Sequence, residues 1–309
     1  MKKSAILIFI LPMIALTANA QHFPHLTVNT STYRDVANHP AFRGFGERML
    51  DRDDNTGDYN RRLTDPVIVN AVNHMIDEVN RGRTIFYDFY TPQQKRSDPA
   101  KENTGLFFFK GNPGAPFAVM CPGGAWAFVG SLRGGFPIAL EINKKGYNVF
   151  VIRYRIGGEQ RACEDLAAAL AFIFENAQTF EINTQNYSLW GESAGARMAA
   201  RLSSYGTAAY GANEYPRPIT AVILYTAHQD FTNNDPPTFS VAGGLDRIAP
   251  PSTMERRVNT MRTAGIPVEY HNFPNAPHGF GLGVGTSAEG WVNNAVRFWE
   301  RFIVRDRIQ

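Results

Sequence analysis

Short apolar runs alternate with amphipathic stretches along most of the chain from residue 84 onward. The runs have the length and the β-branched or aromatic content of strands, and they are Ile85–Tyr90, Leu106–Phe109, Phe117–Met120, Tyr147–Tyr154, Tyr187–Trp190, Ile219–Tyr225, Thr238–Ala242 and Val268–Phe273. Apolar residues at helical spacing predict helices at Phe136–Lys145, Gln160–Asn176, Ala194–Ser204, Ser252–Ala264 and Ala288–Val304. Apolar strands that alternate with helices predict an α/β fold with a mostly parallel eight-stranded sheet and helices on both faces. The first two runs have no helix between them, which predicts an antiparallel pair at one edge.

The first twenty residues have the layout of a secretory signal peptide. Lys2 and Lys3 form a positive start, Ala5–Leu16 is an apolar run, and Ala18–Ala20 is a small-x-small cleavage pattern. A membrane anchor is the alternative, but the run is shorter than the roughly 20 apolar residues that a spanning helix needs. We therefore expect cleavage before Gln21, export to the periplasm or the extracellular space, and no stable membrane insertion of the mature chain.

Residues 21–83 differ in texture from the rest of the chain. They are irregular and polar, apart from Pro66–Asn80, where apolar residues recur at helical spacing. We expect this segment to be an N-terminal extension, either a cap over the pocket or a clasp along the sheet. The catalytic domain is then expected at residues 84–309.

Composition and charge exclude several classes of protein. The 309 residues are 44% hydrophobic and 19% charged, which suits a chain with a large core and excludes a disordered one. The formal charge is +3, from 31 Lys and Arg against 28 Asp and Glu, and removal of Lys2 and Lys3 leaves +1. Because no basic run is present, nucleic acid is not an expected partner. Cys121 and Cys163 could form a disulfide bond in an exported protein or remain separate buried thiols.

The strongest chemical signal is the segment Gly191-Glu192-Ser193-Ala194-Gly195. It follows a predicted strand directly and opens a predicted helix, which is the setting of a nucleophile elbow. The glycines suit a turn so tight that side chains beside the serine would meet neighbouring backbone. The serine hydroxyl would stand at a helix N-terminus, where the helix dipole favours developing negative charge. For Glu192 we expect only solvent contact or a local salt bridge.

A serine nucleophile needs a histidine base, and the histidine needs a carboxylate that holds its tautomer. His278 lies in a loop after the last predicted strand, at the sheet edge where the serine also emerges. His228 follows an earlier strand and is a second candidate. Asp246 lies in another loop after a strand and is the preferred acid, whereas Asp230 and Asp235 compete with it one strand earlier.

The loop at residues 121–126 follows the third predicted strand and contains two adjacent glycines. Adjacent glycines let the backbone approach a substrate carbonyl without interference from a Cβ atom. We therefore expect backbone N–H groups of Gly123, Gly124 or Ala125, together with that of Ala194, to form an oxyanion hole.

Other residues near these segments have weaker signals. Trp126 and Phe128 either bind substrate or pack beneath the oxyanion loop. His22 and His25 resemble a metal pair only superficially, because Pro24 breaks any helix and no nearby cysteine or carboxylate completes a site. The sequence also contains no phosphate loop and no dinucleotide fingerprint, so neither a cofactor nor a metal is expected.

In their joint order, these segments resemble the α/β-hydrolase superfamily. The more detailed resemblance is to its secreted esterase branch, which includes acetyl esterases, acetylxylan esterases and feruloyl-esterase-like proteins. The resemblance extends from Phe117 to Ile303 and is carried by CPGGAW (121–126), RYRI (153–156), GESAG (191–195), GGLD (243–246) and PHGF (277–280). It implies a triad of Ser193, Asp246 and His278, in the chain order of that superfamily.

The oxyanion loop departs from the H-G-G-G pattern found in part of this superfamily. Pro122 stands where the histidine would be, and Ala125 stands where the third glycine would be. Pro122 has no N–H to donate. The departure leaves open which backbone groups serve, and it weakens any transfer of acyl-chain preference.

These observations predict a secreted serine esterase that hydrolyses small acyl esters of the acetyl type through an acyl-enzyme. Its expected partner is a small-molecule or oligosaccharide ester, and carbohydrate esters follow only from the family resemblance. Two alternatives remain: a serine peptidase of the prolyl-peptidase-like type, and a non-catalytic binding protein on a hydrolase scaffold. The sequence does not determine the oligomeric state.

Overall fold

The computed structural model describes residues 22–51 and 58–304. The predicted signal peptide lies outside these residues. The described chain contains an eight-stranded sheet with strand order β1-β2-β4-β3-β5-β6-β7-β8. Its strands are β1 (Phe86–Tyr87), β2 (Gly105–Phe109), β3 (Pro116–Cys121), β4 (Asn148–Arg153), β5 (Asn183–Glu192), β6 (Thr220–Leu224), β7 (Thr238–Gly243) and β8 (Val268–Phe273).

Strand directions confirm the predicted mostly parallel sheet and its antiparallel edge pair. β1 pairs antiparallel with β2, where Phe86 lies opposite Phe107. β2 also pairs antiparallel with β4, and every other neighbouring pair is parallel. The carboxyl ends of β3 and β5 to β8 therefore point to the same edge of the sheet, where ligands bind in folds of this kind.

Helices cover both faces of the sheet. In chain order the helices are α1 (Tyr33–Ala37), α2 (Gly46–Met49), α3 (Pro66–Asn80), α4 (Pro92–Ser97), α5 (Phe136–Asn143), α6 (Glu159–Glu175), α7 (Ala177–Phe180), α8 (Ala194–Tyr205), α9 (Pro251–Thr263) and α10 (Trp291–Glu300). All six predicted helices are present, and α3 has the predicted bounds. The short helices α1, α2, α4 and α7 are too brief to produce a recognisable period.

Alternate residues of each strand enter two apolar layers. On β4, Val149 and Val151 face the layer formed with α3, α5 and α10, whereas Phe150 and Ile152 face the layer formed with α6, α8 and α9. All four side chains are buried. This arrangement explains why the central strands are apolar throughout rather than alternating, since neither face meets solvent.

The N-terminal segment packs on the first of these layers. Leu26 and other buried residues up to Ile76 belong to the same apolar cluster as the sheet residues on that face. Asp65 accepts a hydrogen bond from the Val67 N–H at the start of α3. The Asn73 side chain accepts a hydrogen bond from the Leu26 N–H and donates one to its carbonyl. The segment is thus tied to the sheet through α3.

Several predicted boundaries differ from the structure, and two of the differences have clear local reasons. The first strand is limited to Phe86–Tyr87, because its ladder with β2 has only these two pairs. The last helix begins at Trp291 rather than Ala288, since Gly290 has a left-handed backbone with φ 83°.

Cys121 and Cys163 are separate buried thiols. Burial raises the pKa of both thiols above the ordinary value, that of Cys163 to about 12. None of the helices within residues 22–51 and 58–304 is long and apolar enough to span a membrane.

Candidate active site

Ser193 occupies a strained turn between β5 and α8. Its backbone has φ 51° and ψ −115°, which is a costly conformation for a residue with a side chain. A Cβ atom on Gly191 would lie 2.3 Å from the Gly195 carbonyl oxygen, and one on Gly195 would lie 2.0 Å from the Cys121 carbonyl oxygen. Both glycines are therefore required by the close approach of the backbone. The turn lifts the serine side chain above the carboxyl edge of the sheet.

The structure brings Ser193, His278 and Asp246 together from three different loops. Ser193 Oγ lies 3.0 Å from His278 Nε2, and His278 Nδ1 lies 2.8 Å from Asp246 Oδ2. The other carboxylate oxygen of Asp246 accepts hydrogen bonds of 2.8 Å from the backbone N–H groups of Ile248 and Ala249. The Asp246 side chain is fully buried, whereas that of His278 is 19% exposed. This arrangement fixes the carboxylate and leaves the histidine facing a cavity.

The tautomer of His278 follows from its partners. A carboxylate only accepts hydrogen bonds, so the ring nitrogen that faces Asp246 must carry the proton. Nε2 is then free to accept the hydroxyl proton of Ser193. The pair is therefore arranged for proton transfer from serine to histidine.

Glu192 was expected to face solvent or form a local salt bridge, and this expectation is wrong. Its side chain is buried beneath the oxyanion loop, where Oε1 accepts a 3.2 Å hydrogen bond from the Gly123 N–H. Oε2 accepts a hydrogen bond from the Tyr225 hydroxyl. Burial raises the pKa of the Glu192 carboxyl, and these two hydrogen bonds oppose that rise. The local sequence does not indicate this burial, because it depends on the distant turn at residues 130–135, where Gly134 lies against the carboxylate.

The oxyanion loop is anchored on its inner side. The Tyr154 hydroxyl donates a 2.7 Å hydrogen bond to the Pro122 carbonyl, and the Gly130 N–H donates one of 2.9 Å to the Gly123 carbonyl. Gly124 has φ 138°, and a Cβ atom there would lie 2.0 Å from the Phe128 carbonyl oxygen. Ala125 follows with φ 53° and is exposed. The Gly123 N–H is occupied by Glu192, so Gly124 and Ala125 are the loop residues left to meet a ligand.

A cavity of about 430 Å³ lies between the oxyanion loop, Ser193 and His278. Phe128 lines this cavity, whereas Trp126 is not among the lining residues. The Trp126 ring instead contacts the Tyr154 ring edge-on, with the two centroids 6.1 Å apart. Two larger surface grooves, of about 540 and 590 Å³, lie elsewhere, and neither is lined by Ser193, Asp246 or His278.

Asp51 connects the N-terminal segment to the cavity wall. Its buried carboxylate accepts a 2.8 Å hydrogen bond from the Leu132 N–H and forms an ion pair with Arg133. Arg133 lines the cavity. The Asp51 carbonyl also accepts a hydrogen bond from the Val129 N–H. The segment thus contributes a contact that supports one side of the candidate site.

The competing candidates belong to a different cluster. Asp235 forms a buried 2.8 Å ion pair with Arg257, and Asp230 pairs with Arg201 at 3.0 Å. Burial lowers the pKa of His228 to about 4, and the Arg257 charge acts in the same direction. None of these groups lines the cavity beside Ser193. Asp235 and Arg257 thus form a buried structural ion pair, the Asp230–Arg201 pair lies closer to the surface, and His228 is a neutral histidine near them.

His22 and His25, which resemble a metal pair only superficially, do not line the cavity beside Ser193. His25 lies 2.7 Å from Asp77 in a partly exposed pair. Among residues 22–51 and 58–304, no group of three or more His, Cys, Asp and Glu side chains is placed to hold a metal ion.

Comparison with known protein families finds a similarity in the central part of the chain. A family model described as BD-FAE matches residues 109–223. This stretch includes the oxyanion loop and Ser193 but ends before Asp246 and His278. The chain is also 22% identical over 207 residues to the acetylxylan esterase of Xylanibacter ruminicola. That match covers 57% of this chain and 43% of the relative, so the chain spans less than half of the relative's length.

Comparison with solved structures covers more of the chain. An α/β-hydrolase enzyme from a Medee basin deep-sea metagenome library has a TM-score of 0.55 and 25% identity, over 64% of this chain and 92% of that one. The acetyl ester-xyloside bifunctional hydrolase from Caldicellulosiruptor lactoaceticus has a TM-score of 0.61 and 20% identity, over 71% and 97% respectively. Both likenesses cover about two thirds of this chain or more and nearly the whole of the other chain.

Proposed function

We propose that this chain, which has the α/β-hydrolase fold and resembles esterases, is a serine esterase for small acyl esters of the acetyl type. One observation carries the proposal: a continuous line from Ser193 Oγ through both nitrogens of His278 to the buried Asp246 carboxylate, with distances of 3.0 and 2.8 Å. This line ends at a cavity rather than in the core. A histidine with a purely structural role would not need a partly exposed serine hydroxyl as its second partner.

In the proposed acylation step, Ser193 Oγ attacks the ester carbonyl while its proton passes to His278 Nε2. The carbonyl π electrons move to the oxygen, which becomes an oxyanion. Asp246 holds the ring and stabilises the imidazolium that forms. Collapse of the intermediate then breaks the bond to the alcohol, which leaves with the proton that His278 returns. The product is an acyl ester on Ser193.

Deacylation repeats these steps with water as the nucleophile. Water attacks the acyl carbonyl and gives a proton to His278 Nε2. Collapse releases the carboxylic acid, and Ser193 Oγ recovers its proton from His278. No cofactor is needed for either step, because every proton that leaves the serine or the water is held by the same histidine.

Backbone N–H groups of Gly124, Ala125 and Ala194 are the proposed oxyanion donors. Ala194 is the first residue of α8, and the first N–H groups of a helix have no partner within the helix. Gly124 and Ala125 line the cavity beside Ser193. We do not propose Gly123 as a third loop donor, since its N–H already donates to Glu192.

The cavity and the relatives support the proposed substrate class. A cavity of about 430 Å³ accommodates a short acyl group with part of its alcohol. A relative named acetylxylan esterase supports an acetylated oligosaccharide as the alcohol component. Export, which rests on the predicted signal peptide, would place the enzyme where such polymers occur. Phe128 is a proposed substrate contact, and Trp126 is proposed to support the loop.

Hydrolysis of p-nitrophenyl acetate, butyrate and octanoate, beside acetate release from an acetylated xylooligosaccharide, tests this proposal. We expect acetate preference, and a loss of at least about 10⁴-fold in kcat for Ser193→Ala with unchanged circular dichroism. Ser188→Ala is the matched control, since Ser188 is buried on β5, the strand that leads to Ser193, with its hydroxyl bonded to Thr220. The control should keep its activity.

Other outcomes would contradict the proposal in distinct ways. Turnover that persists in Ser193→Ala would exclude the serine mechanism. Ser193-dependent cleavage of aminoacyl amides but not esters would favour the peptidase alternative. A well-folded protein that hydrolyses nothing and resists a fluorophosphonate probe would favour the binding-protein alternative.

A further inference from the structure

The Glu192 carboxylate lies where the loops around the candidate site meet. Glu192 is the last residue of β5 and directly precedes Ser193, while Tyr225 directly follows the neighbouring strand β6. Its two oxygens accept hydrogen bonds from different partners, one from the Gly123 N–H on the oxyanion loop and one from the Tyr225 hydroxyl. A single buried side chain thus joins the oxyanion loop to the loop beyond β6.

The space around this carboxylate is shaped to receive it. A Cβ atom on Gly134 would lie 1.9 Å from Glu192 Oε1 and 2.7 Å from Oε2, so any larger residue there would displace the carboxylate. On Gly123 a Cβ atom would lie 3.1 Å from the Ser193 Cβ atom. The glycine-rich turn at residues 130–135 therefore covers Glu192 closely and holds it against the oxyanion loop.

Tyr225 extends the connection to the candidate base. Its ring lies edge-on to that of His278, with the centroids 5.2 Å apart. Its own backbone is fixed by a 2.8 Å hydrogen bond from its N–H to the Val241 carbonyl, although its φ is 31°. The hydroxyl bond to Glu192 then sets the direction of the ring that supports His278.

We infer that Glu192 is a positioning residue, which holds the oxyanion loop through Gly123 and the supporting ring of the base through Tyr225. This inference rests on the proposed function and deepens it. The two hydrogen bonds tie both partners to one side chain that is itself buried and closely covered. A carboxyl group at this place therefore fixes the oxyanion donors before the substrate arrives. Such donors contribute most to catalysis when they are already in position.

Two substitutions at Glu192 distinguish positioning of the oxyanion loop by hydrogen bonds from mere packing of the side chain. Glu192→Leu removes both acceptors, and we expect kcat to fall by about 10²-fold, as when one oxyanion donor is misplaced, with KM changed less than about threefold. Glu192→Gln keeps a carbonyl oxygen for the Gly123 N–H, so its loss should be about tenfold or less. Tyr225→Phe keeps the ring against His278 and removes only the hydroxyl, with a loss also near tenfold expected.

The decisive measurement is the inhibition constant of butylboronic acid. Its boron atom accepts an electron pair from Ser193 Oγ, and a boron-bound oxygen then occupies the oxyanion position. We expect this constant to rise in parallel with the fall in kcat across Glu192→Gln and Glu192→Leu. Rates are expressed per active serine, titrated with a fluorophosphonate, so that a misfolded fraction does not lower them. Glu78→Gln and Tyr187→Phe alter comparably buried groups remote from the site and should leave both quantities unchanged.

The inference and the proposed function fail in different ways. Suppose that Ser193→Ala is inactive, but that Glu192→Gln and Glu192→Leu both keep the wild-type kcat and the wild-type inhibition constant of the boronate. Glu192 then does not position the site. A rise in KM alone would also overturn the inference. If Glu192→Leu does not fold, Glu192→Gln and Tyr225→Phe still decide it, since wild-type boronate inhibition in both contradicts the inference. Activity that persists in Ser193→Ala would instead remove the proposed function itself.

Discussion

Replacing Asp246 with asparagine would change only the atom that faces His278. The two N–H groups of Ile248 and Ala249 would keep an acceptor, because Asp246 Oδ1 is the oxygen that binds them at 2.8 Å. The amide NH₂ would replace Oδ2, which lies 2.8 Å from His278 Nδ1. An N–H donor at this place requires Nδ1 to accept, so the ring proton moves to Nε2. In that tautomer, His278 cannot take the proton of Ser193.

The expected loss is large in rate and small in stability. A wrong tautomer of this kind costs about 10⁴-fold in kcat, which corresponds to about 5 kcal/mol of transition-state stabilisation. The free energy of unfolding should change by less than about 1 kcal/mol, because the backbone bonds to the buried side chain remain. Hydrolysis of p-nitrophenyl acetate and thermal unfolding followed by circular dichroism measure the two quantities.

Asp235→Asn is the matched control for this prediction. Asp235 is equally buried, but its charge balances Arg257, which lies 2.8 Å away in the interior. We expect the reverse pattern: a loss of about 3 kcal/mol in the free energy of unfolding, since a buried cation is left unbalanced, and nearly unchanged kcat. The reasoning is refuted if Asp246→Asn keeps its activity, or if Asp235→Asn loses activity to the same degree.

Three further predictions concern pH, the N-terminal segment and the thiols. Because the pKa of His228 lies at about 4 in the folded protein and near 6.5 when unfolded, stability should fall between pH 6.5 and 4. His228→Asn should flatten that part of the Tm profile, and an unaltered slope would contradict it. Asp51→Ala should raise KM and lower the free energy of unfolding by about 2 kcal/mol. An unchanged KM would show that Asp51 does not support the cavity wall. Cys121 and Cys163 should react with a disulfide reagent only after denaturation.

The strands could be predicted from the sequence because both sheet faces are covered. A strand buried on two sides is apolar throughout, as Val149, Phe150 and Val151 of β4 are, and so it stands out from its neighbours. The boundaries that were missed lie where this signal is absent. β5 begins at Asn183 rather than Tyr187, since its first residues are polar and are ordered by pairing with the neighbouring strand.

The proximity of the candidate triad was predictable for a topological reason. Ser193, Asp246 and His278 each follow the carboxyl end of a strand, and parallel strands bring these ends to one edge. The contacts of Glu192 were not predictable, because its burial depends on the turn at residues 130–135, distant in the chain. The role of Asp51 is not predictable for the same reason, because the loop that it supports lies far along the sequence.

The backbone of Ser193 has a consequence for the stability of the whole protein. A residue with a Cβ atom at φ 51° and ψ −115° stores about 1–3 kcal/mol of strain. Ser193→Ala keeps the Cβ atom and its strain, whereas Ser193→Gly does not. The free energy of unfolding of Ser193→Gly should therefore be higher by a net of about 1 kcal/mol, after the greater freedom of unfolded glycine is subtracted, and its melting temperature should be higher as well. Equal melting temperatures would show that the turn is relaxed. Under the proposed mechanism, Ser193→Gly would thus be a more stable but inactive protein, and only selection for activity would retain the less stable serine.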